Sequence, residues 1–283
     1  MKRKKRTIIL ISVLACIAAL ALWIAWGNSA LMVSEFSIQS ERVPEGLSGY
    51  KIAQVSDLHN AEFGDNNADL LALLEARAPD IIVLTGDLVD SRKTDIAVAS
   101  TFAAKASDIA PTYFVTGNHE ARIDEYDGLR ESLIAAGVTV LEDAAVTIER
   151  NGESISLLGI DDPSFQTDYL MGDATSVAQA ALNALVDNQA AFTVLLSHRP
   201  ELFDTYVDAG VDLVFSGHAH GGQFRIPFLG GLIAPNQGFF PKYDAGLYTE
   251  GNTNMVVSRG LGNSLFPFRV NNRPELVIVE LNG

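Results

Sequence analysis

Short apolar segments alternate with helical patterns through the first half of the chain. Residues 50–55, 81–85 and 113–116 are strand-like, and residues 68–77, 95–107 and 129–136 have the spacing of amphipathic helices. The unbroken apolar run at 81–85 predicts a strand that is buried on both faces. Alternation of this kind predicts βαβ units, in which parallel strands are covered by helices.

The pattern becomes richer in strands after about residue 138. Strands are predicted at residues 138–141, 146–149, 154–160, 192–197, 212–216, 254–258 and 276–280, and a helix at 175–186. Asn151-Gly152 is a typical two-residue hairpin turn between two of these strands. No internal repeat or low-complexity segment interrupts the pattern, so residues 49–283 are predicted to form one α/β domain.

The N-terminus has the pattern of a membrane anchor. Residues 8–26 carry no charge and one polar side chain, Ser12, and as a helix they would span about 28 Å. Basic residues at 2–6 precede the run, whereas the next charged residues are acidic. The positive-inside rule then predicts a plasma-membrane protein with its N-terminus in the cytoplasm and its domain outside. A cleaved signal peptide has the same charge order and stays open as the alternative.

This interpretation divides the chain into three parts. Residues 1–27 are the basic tip and anchor, 28–48 a juxtamembrane linker with a lead-in strand, and 49–283 the α/β domain. The composition excludes some functions of that domain. Formal net charge is −15 although residues 2–6 are all basic, so a nucleic-acid partner is not expected. The single cysteine, Cys16, lies in the anchor, which excludes disulfides and thiol chemistry from a domain that we expect to be monomeric.

Histidines and carboxylates follow the predicted strands at the points where these strands end. They occur in the motifs Ser56-Asp57-Leu58-His59, Gly86-Asp87, Gly117-Asn118-His119-Glu120, Ser197-His198-Arg199-Pro200 and Gly217-His218-Ala219-His220. Most of these motifs, taken singly, are equally typical of turns or surface loops. Carboxyl ends of parallel strands converge at one edge of a sheet, however, so together the motifs predict a metal site.

The order of these motifs resembles that of the calcineurin-like metallophosphoesterases, over residues 50–283. The anchor, residues 217–227 and Asn272-Arg273-Pro274-Glu275 resemble a bacterial branch with membrane-associated phosphodiesterases and UDP-2,3-diacylglucosamine pyrophosphatases. The resemblance implies a four-layer αββα sandwich with a two-metal centre. The implied ligands of one ion are Asp57, His59, Asp87 and His220. Those of the other ion are Asp87, Asn118, His198 and His218. His119 would be the unligated proton donor, and Asp90 the residue that orients it.

Physical chemistry supports the same kind of centre. Oxygen and imidazole ligands without thiolate suit Mn, Fe, Zn or Mg, and Mn is the ion that we expect. Two divalent ions outweigh the charges of Asp57 and Asp87, so the site attracts phosphate on an otherwise acidic protein. A protonated His119 would serve a leaving oxygen as general acid. The chain has no GxSxG motif, no Walker loop and no Cys–His pair in the domain.

Three functions remain open at this point. The main hypothesis is hydrolysis of a phosphodiester or pyrophosphate bond in a lipid-linked substrate at the membrane surface. The second is an extracytoplasmic nucleotidase or phosphodiesterase that scavenges soluble esters. The third is a tethered metal-binding or adhesion domain, which has no need of His119.

Two segments leave the substrate question open. The apolar residues of segment 224–240 are expected to form core strands and a packed loop. An alternative is an apolar rim beside the metals, in which Phe228 and Leu229 bind an acyl chain. Asp161-Asp162-Pro163 is interpreted as a turn, with a substrate lid as its alternative.

Overall fold

Helices and strands account for most of the chain. The structure is a computed structural model that describes residues 2–166, 173–186, 190–264 and 266–283. The helices are α1 (Lys2–Ser29), α2 (Ala68–Glu75), α3 (Ile96–Ile109), α4 (Tyr126–Ala135), α5 (Ala174–Leu185) and α6 (Phe203–Asp208). The strands are β1 (Met32–Gln39), β2 (Tyr50–Val55), β3 (Ile81–Thr85), β4 (Thr112–Val115), β5 (Thr139–Val140), β6 (Ala144–Arg150), β7 (Glu153–Gly159), β8 (Thr193–Leu196), β9 (Leu213–Ser216), β10 (Arg225–Ile226), β11 (Gly230–Gly231), β12 (Ile233–Ala234), β13 (Gly238–Phe239), β14 (Gly246–Glu250), β15 (Thr253–Val257) and β16 (Glu275–Asn282).

The described residues form two large mixed sheets. The first has the strand order β1-β16-β2-β3-β4-β5, and the second has the order β14-β15-β9-β8-β7-β6. Strands β2 to β5 run parallel to one another, as do β7, β8, β9 and β15. The histidine and aspartate motifs follow the carboxyl ends of β2, β3, β4, β8 and β9, and the parallel pairing confirms the predicted βαβ organisation.

Three apolar cores separate four layers, which confirms the αββα sandwich. Ile82 and Leu84 of β3 pack with helices α2 to α4, whereas Ile81 and Val83 pack between the two sheets. Helices α5 and α6 cover the outer face of the second sheet. The alternation along β3 explains its unbroken apolar sequence, because side chains point in turn toward two different cores.

Helix α1 is long and apolar enough to cross a membrane by length and composition, a property that membrane spans share with signal sequences. Only Ala30 and Leu31 separate it from β1, which pairs with β16 as an integral strand of the first sheet. Strands β1 and β16 run antiparallel to β2. Helix α1 therefore joins the domain at the edge of the first sheet where β2 and β3 end.

The expectation for segment 224–240 was wrong in part. It forms two short hairpins, β10–β11 and β12–β13, rather than core strands. Glycines and prolines break the segment into pieces that are too short to join either large sheet, and no second layer covers the tips in the described structure. Phe228 is fully exposed and Leu229 is 68% exposed. The turn expected at residues 161–163 is confirmed by a short 3-10 helix that Asp162 caps through Ser164 N.

Candidate metal centre

The two sheets meet at the edge where their parallel strands end. From the first sheet, β2 leads to Asp57 and His59, and β3 leads to Asp87. From the second sheet, β8 leads to His198, and β9 leads to His218 and His220. The structure therefore brings together side chains that are separated by as many as 163 residues in the sequence, as His220 is from Asp57.

Two buried groups of potential ligands share Asp87. The first group contains Asp57, His59, Asp87 and His220, and the second contains Asp87, His198 and His218. One ligand atom from each member lies within 4.8 Å of those of the others in its group. Asp87 Oδ2 lies 3.5 Å from His59 Nε2 and 3.2 Å from His198 Nε2. The cluster is thus suited to a binuclear metal site.

The hydrogen-bond pattern of the second group fits a cation. His198 Nδ1 lies 2.7 Å from the carbonyl of Thr85, which makes Nδ1 the donor and leaves Nε2 facing Asp87 Oδ2. His218 Nε2 lies 2.9 Å from Oδ1 of Asn236, so its Nδ1 holds the lone pair of the neutral ring. A backbone carbonyl or amide oxygen that fixes a histidine tautomer in this way is the usual support of a metal ligand.

Asn118 completes this group. Its side-chain oxygen lies 2.8 Å from His218 Nδ1, and its amide nitrogen lies 3.1 Å from Arg122. Turning the amide over would give three hydrogen bonds, to His218 Nδ1 and from Arg122 and His119 N. A cation between Asn118 and His218 favours the orientation with the oxygen inward, since an oxygen and a ring nitrogen can both bind a cation. The residues present therefore fit a divalent ion at this position.

Burial keeps most of the imidazoles neutral. It lowers the pKa of His59 to about 3 and the pKa values of His218 and His220 well below the usual range. His198 is equally buried, but the Asp87 carboxylate outweighs burial and raises its pKa to about 10. A cation bound beside Asp87 would replace the proton of His198, so we expect metal binding to release protons.

The backbone is strained at the cluster. Asp57, Asp87, His218 and His220 have φ values between 48° and 63°, in the left-handed region that side chains other than glycine rarely adopt. Gly117 packs against one of these turns, and a Cβ there would lie 2.6 Å from the backbone nitrogen of Asp87. The strained turns aim several ligands at one point, which is a common property of functional sites.

His119 lies beside the cluster and faces the adjoining cavity. Its Nδ1 accepts a hydrogen bond from Ser91 N at 2.9 Å, and Ser91 Oγ is 3.1 Å away. Asp90, the residue expected to orient His119, lies 3.7 Å from Nδ1 and receives hydrogen bonds from Arg92 instead. Hydrogen bonding therefore orients the ring through Ser91, while Asp90 acts on it by charge. Burial lowers the pKa of His119, and Asp87 and Asp90 oppose this shift.

Sequence reasoning assigned no role to several buried side chains that hold the cluster in place. Glu120 accepts hydrogen bonds from the backbone N–H groups of Asp87 at 2.8 Å and Gly117 at 2.7 Å, and so ties two ligand loops together. Arg199 binds Asp162 with two hydrogen bonds and donates to Asn236 at 3.0 Å. Glu120 and Arg199 directly follow two of the predicted histidines, which was the available sequence signal.

A cavity of about 280 Å³ opens over the cluster. His119, Arg92, Arg122 and Phe266 contribute to its walls. Arg92 pairs with Asp90, and sequence analysis assigned neither arginine a role. Phe228 and Leu229 are not among the residues that line this cavity, so their binding of substrate stays a prediction.

Comparison with known proteins agrees with this geometry. Residues 50–222 match the family model described as calcineurin-like phosphoesterase. Phosphodiesterase YaeI of Escherichia coli (strain K12) is 31% identical over 244 residues, which cover 84% of this chain and 84% of YaeI. YkuE of Bacillus subtilis (strain 168), named an uncharacterized metallophosphoesterase, is 30% identical over 256 residues, which cover 88% of this chain and 85% of YkuE. The solved structure of TT1561 from Thermus thermophilus shares the fold, with a TM-score of 0.50 at 15% identity over 76% of this chain and 91% of TT1561.

Proposed function

This chain belongs to the calcineurin-like phosphoesterase family, and from that premise we propose that it hydrolyses a phosphodiester or pyrophosphate bond in a lipid-linked substrate at a membrane surface. Family membership makes it a metal-dependent hydrolase of phosphoric esters. The bond, the substrate and the membrane location are the proposal.

The observation that carries the proposal is the position of Asp87 between the two ligand groups. A carboxylate shared by two cation positions is the arrangement that a binuclear centre requires. We assign one ion to Asp57, His59, Asp87 and His220. We assign the other ion to Asp87, Asn118, His198 and His218. When bound, two divalent ions would supply Lewis acidity, which activates water and neutralises phosphoryl oxygens.

The protein groups around the cavity have separate tasks in this proposal. Water attacks the phosphorus and forms the new P–O bond, while its proton passes to solvent. The bond from phosphorus to the leaving oxygen breaks, and His119 donates a proton to that oxygen. Ser91 N–H holds the His119 ring through Nδ1, which leaves Nε2 toward the cavity, and the charge of Asp90 favours the protonated form. Arg92 and Arg122 are placed to attract the phosphate into the cavity.

A lipid-linked substrate fits the size and position of the cavity. A volume of about 280 Å³ holds a phosphodiester group and a small part of its substituents, so acyl chains would have to remain outside. Helix α1 ends two residues before β1, at the sheet edge that carries the cluster. In our proposal α1 spans the plasma membrane with its N-terminus in the cytoplasm, so chains left in the outer leaflet lie near the site.

The test uses the full chain in detergent micelles, loaded with Mn²⁺. Products from membrane phospholipids and from a soluble aryl phosphodiester are followed by mass spectrometry. Asp87→Asn is expected to abolish metal-dependent turnover, since it removes the shared carboxylate. Asp127→Asn, a substitution at an exposed position on α4, is the matched control and is expected to retain it.

Each outcome separates the candidates. Lipid cleavage that Asp87→Asn removes supports the proposal, and the product mass identifies the bond that breaks. Cleavage of the soluble ester alone would overturn the lipid-linked substrate and favour a scavenging esterase. Turnover that persists in Asp87→Asn or after complete chelation would overturn the binuclear assignment.

A further inference from the structure

Exposed aromatic and aliphatic side chains lie on the two hairpins and on the loop before Arg269, and one of them, Phe266, lines the cavity over the candidate metal centre. We define the aromatic rim as Phe228, Leu229, Phe239, Phe240, Phe266 and Phe268. The two hairpins supply the first four, and the loop before Arg269 supplies the other two. Phe239 and Phe240 are 70% and 60% exposed. Large apolar side chains grouped on a surface mark a contact with another apolar phase.

The rim is held together as one surface at the metal-side edge. Leu232 connects the hairpins, because its N–H donates to Gly222 at 3.1 Å and its carbonyl accepts from Phe240 N at 2.9 Å. The ring of Phe224 contacts that of Phe266 at a centroid distance of 5.0 Å. Gly222 lies two residues after His220, and Phe266 lines the same cavity as His218 and His220, so the rim borders the metal centre.

The rim is also next to the end of helix α1. Asn28, near the last residue of the helix, accepts a hydrogen bond from Arg269 N at 2.7 Å and donates to Arg269 O at 3.0 Å. Phe268 immediately precedes Arg269. The guanidinium of Arg269 reaches to within 3.4 Å of His220 Nδ1. One arginine therefore spans the distance from the helix end to the candidate metal centre.

The charge distribution differs at this edge from that in the rest of the chain. Residues 213–243 and 251–274 contain none of the 35 acidic residues. Of their basic residues, Arg269 is buried and Arg225 and Arg259 pair with Asp244 and Glu275. Lys242 is exposed, and the Arg273 guanidinium lies over the ring of Trp26 in α1. An acidic surface is repelled by anionic lipid, whereas a surface with basic and aromatic side chains is attracted to it. The two segments that build the rim are thus compatible with an anionic bilayer, although the protein as a whole is acidic.

We propose that the aromatic rim inserts into the headgroup region of the bilayer that α1 spans, as a second attachment that turns the metal centre toward lipid. The proposal rests on the membrane anchoring given under the proposed function. It commits to lipid as the occupant because the rim continues directly from the helix end. Held at two places, the domain would have its cavity entrance at the membrane surface.

The test places spin labels on the full chain in nanodiscs that contain anionic phosphatidylglycerol. Cys16 is the only cysteine, so a Cys16→Ser background accepts single labels at Phe228→Cys and Phe239→Cys. Asn252→Cys is the matched control. Asn252 is exposed in the turn between β14 and β15, at the end of the second sheet that lies away from the candidate metal centre. Collision of each label with oxygen, which dissolves in lipid, is compared with collision with a water-soluble nickel chelate.

We expect the oxygen-to-nickel ratio at 228 and 239 to exceed that at 252 by on the order of tenfold, because lipid excludes the polar chelate. Equal ratios at the three positions would overturn the proposal and leave the rim to a protein partner or a second copy. Labelled native Cys16 reports separately whether α1 lies in lipid. Turnover of the same samples reports the enzymatic proposal independently, so the failures of the two proposals can be distinguished.

Discussion

Gly117→Ala tests whether the position of Asp87 controls the candidate centre. The φ value of Gly117 is outside the left-handed region, so its backbone conformation accepts alanine. The new Cβ would lie 2.6 Å from Asp87 N, where ordinary contact begins at 3.4 Å, so about 0.8 Å must be gained. Asp87 N is hydrogen-bonded to Glu120 at 2.8 Å and cannot rotate away as a side-chain tip would. The strain therefore displaces the turn that carries Asp87.

The expected effect on activity is larger than the effect on folding. A displacement approaching 1 Å at a catalytic centre lowers turnover by about 100-fold. Overpacking of this size costs about 1–3 kcal/mol of folding free energy, against about 5–15 kcal/mol for a typical domain. The variant should stay folded at 25 °C, so the loss of kcat/KM would reflect geometry. Its Tm should fall by about 2–4 °C for each kcal/mol lost.

The assay combines kcat/KM on a soluble aryl phosphodiester, bound Mn²⁺ by mass spectrometry, and Tm by calorimetry. Gly128→Ala is the matched control, because no atom lies within 4 Å of its new Cβ and it lies in helix α4. It should leave kcat/KM unchanged. If Gly117→Ala kept the parent kcat/KM and Mn²⁺ content while its Tm fell, Asp87 would not set the geometry of the centre.

Three further predictions concern residues around the cluster. Asn236→Ala should weaken Mn²⁺ binding about tenfold in a chelator competition, since it removes the oxygen that fixes His218, and Asn236→Asp should restore binding. Water can reach the exposed Asn236, so a larger loss is not expected, and an unchanged affinity would refute the role. Asp90→Asn removes a charge that raises the pKa of His119, so the alkaline limb of the kcat profile should move to lower pH, and a limb that stays in place would contradict this. Burial raises the pKa of Asp161 to about 7 in the folded protein. The buried carboxyl must ionise as pH rises from about 4 to 7, so the folded protein loses stability over this range. Asp161→Asn should therefore raise Tm more at pH 8 than at pH 4, and an equal change at both would argue against burial as the cause.

The layers of the fold could be predicted from local sequence patterns. Strands that are covered on both faces have unbroken apolar sequences, which distinguishes them from the helices between them. The apolar run at Ile81–Thr85 has this cause, and its bounds were predicted without error. The sequence could predict that these residues cluster because each follows a strand, and parallel strands place their ends together; their role as metal ligands stays a prediction. Helix α6 was not predicted. It has only six residues after a proline-led turn, and so short a segment does not show a helical period.

Residues that act through tertiary contacts were beyond sequence reasoning. The sequence places Arg269 in a loop far from any motif, and only the fold brings its guanidinium to His220. The role expected for Asp90 depended on a side-chain direction that the Arg92 guanidinium changes by taking up its carboxylate. Competition between Arg92 and His119 for one carboxylate leaves no pattern in the spacing of residues along the sequence.

The direction of the strands accounts for the relation between the anchor and the catalytic centre. If β1 ran parallel to β2, helix α1 would join the domain at the edge opposite to the metal-ligand loops. Because β1 pairs in parallel with β16, and β16 is antiparallel to β2, Met32 lies beside Glu275 at the ligand edge. Glu275 accepts a hydrogen bond from Arg259 N, and its own N–H donates to the carbonyl of Gly260, which packs against Asp57. One antiparallel pairing in a largely parallel sheet thus places the end of the apolar helix and the candidate metal centre at the same edge.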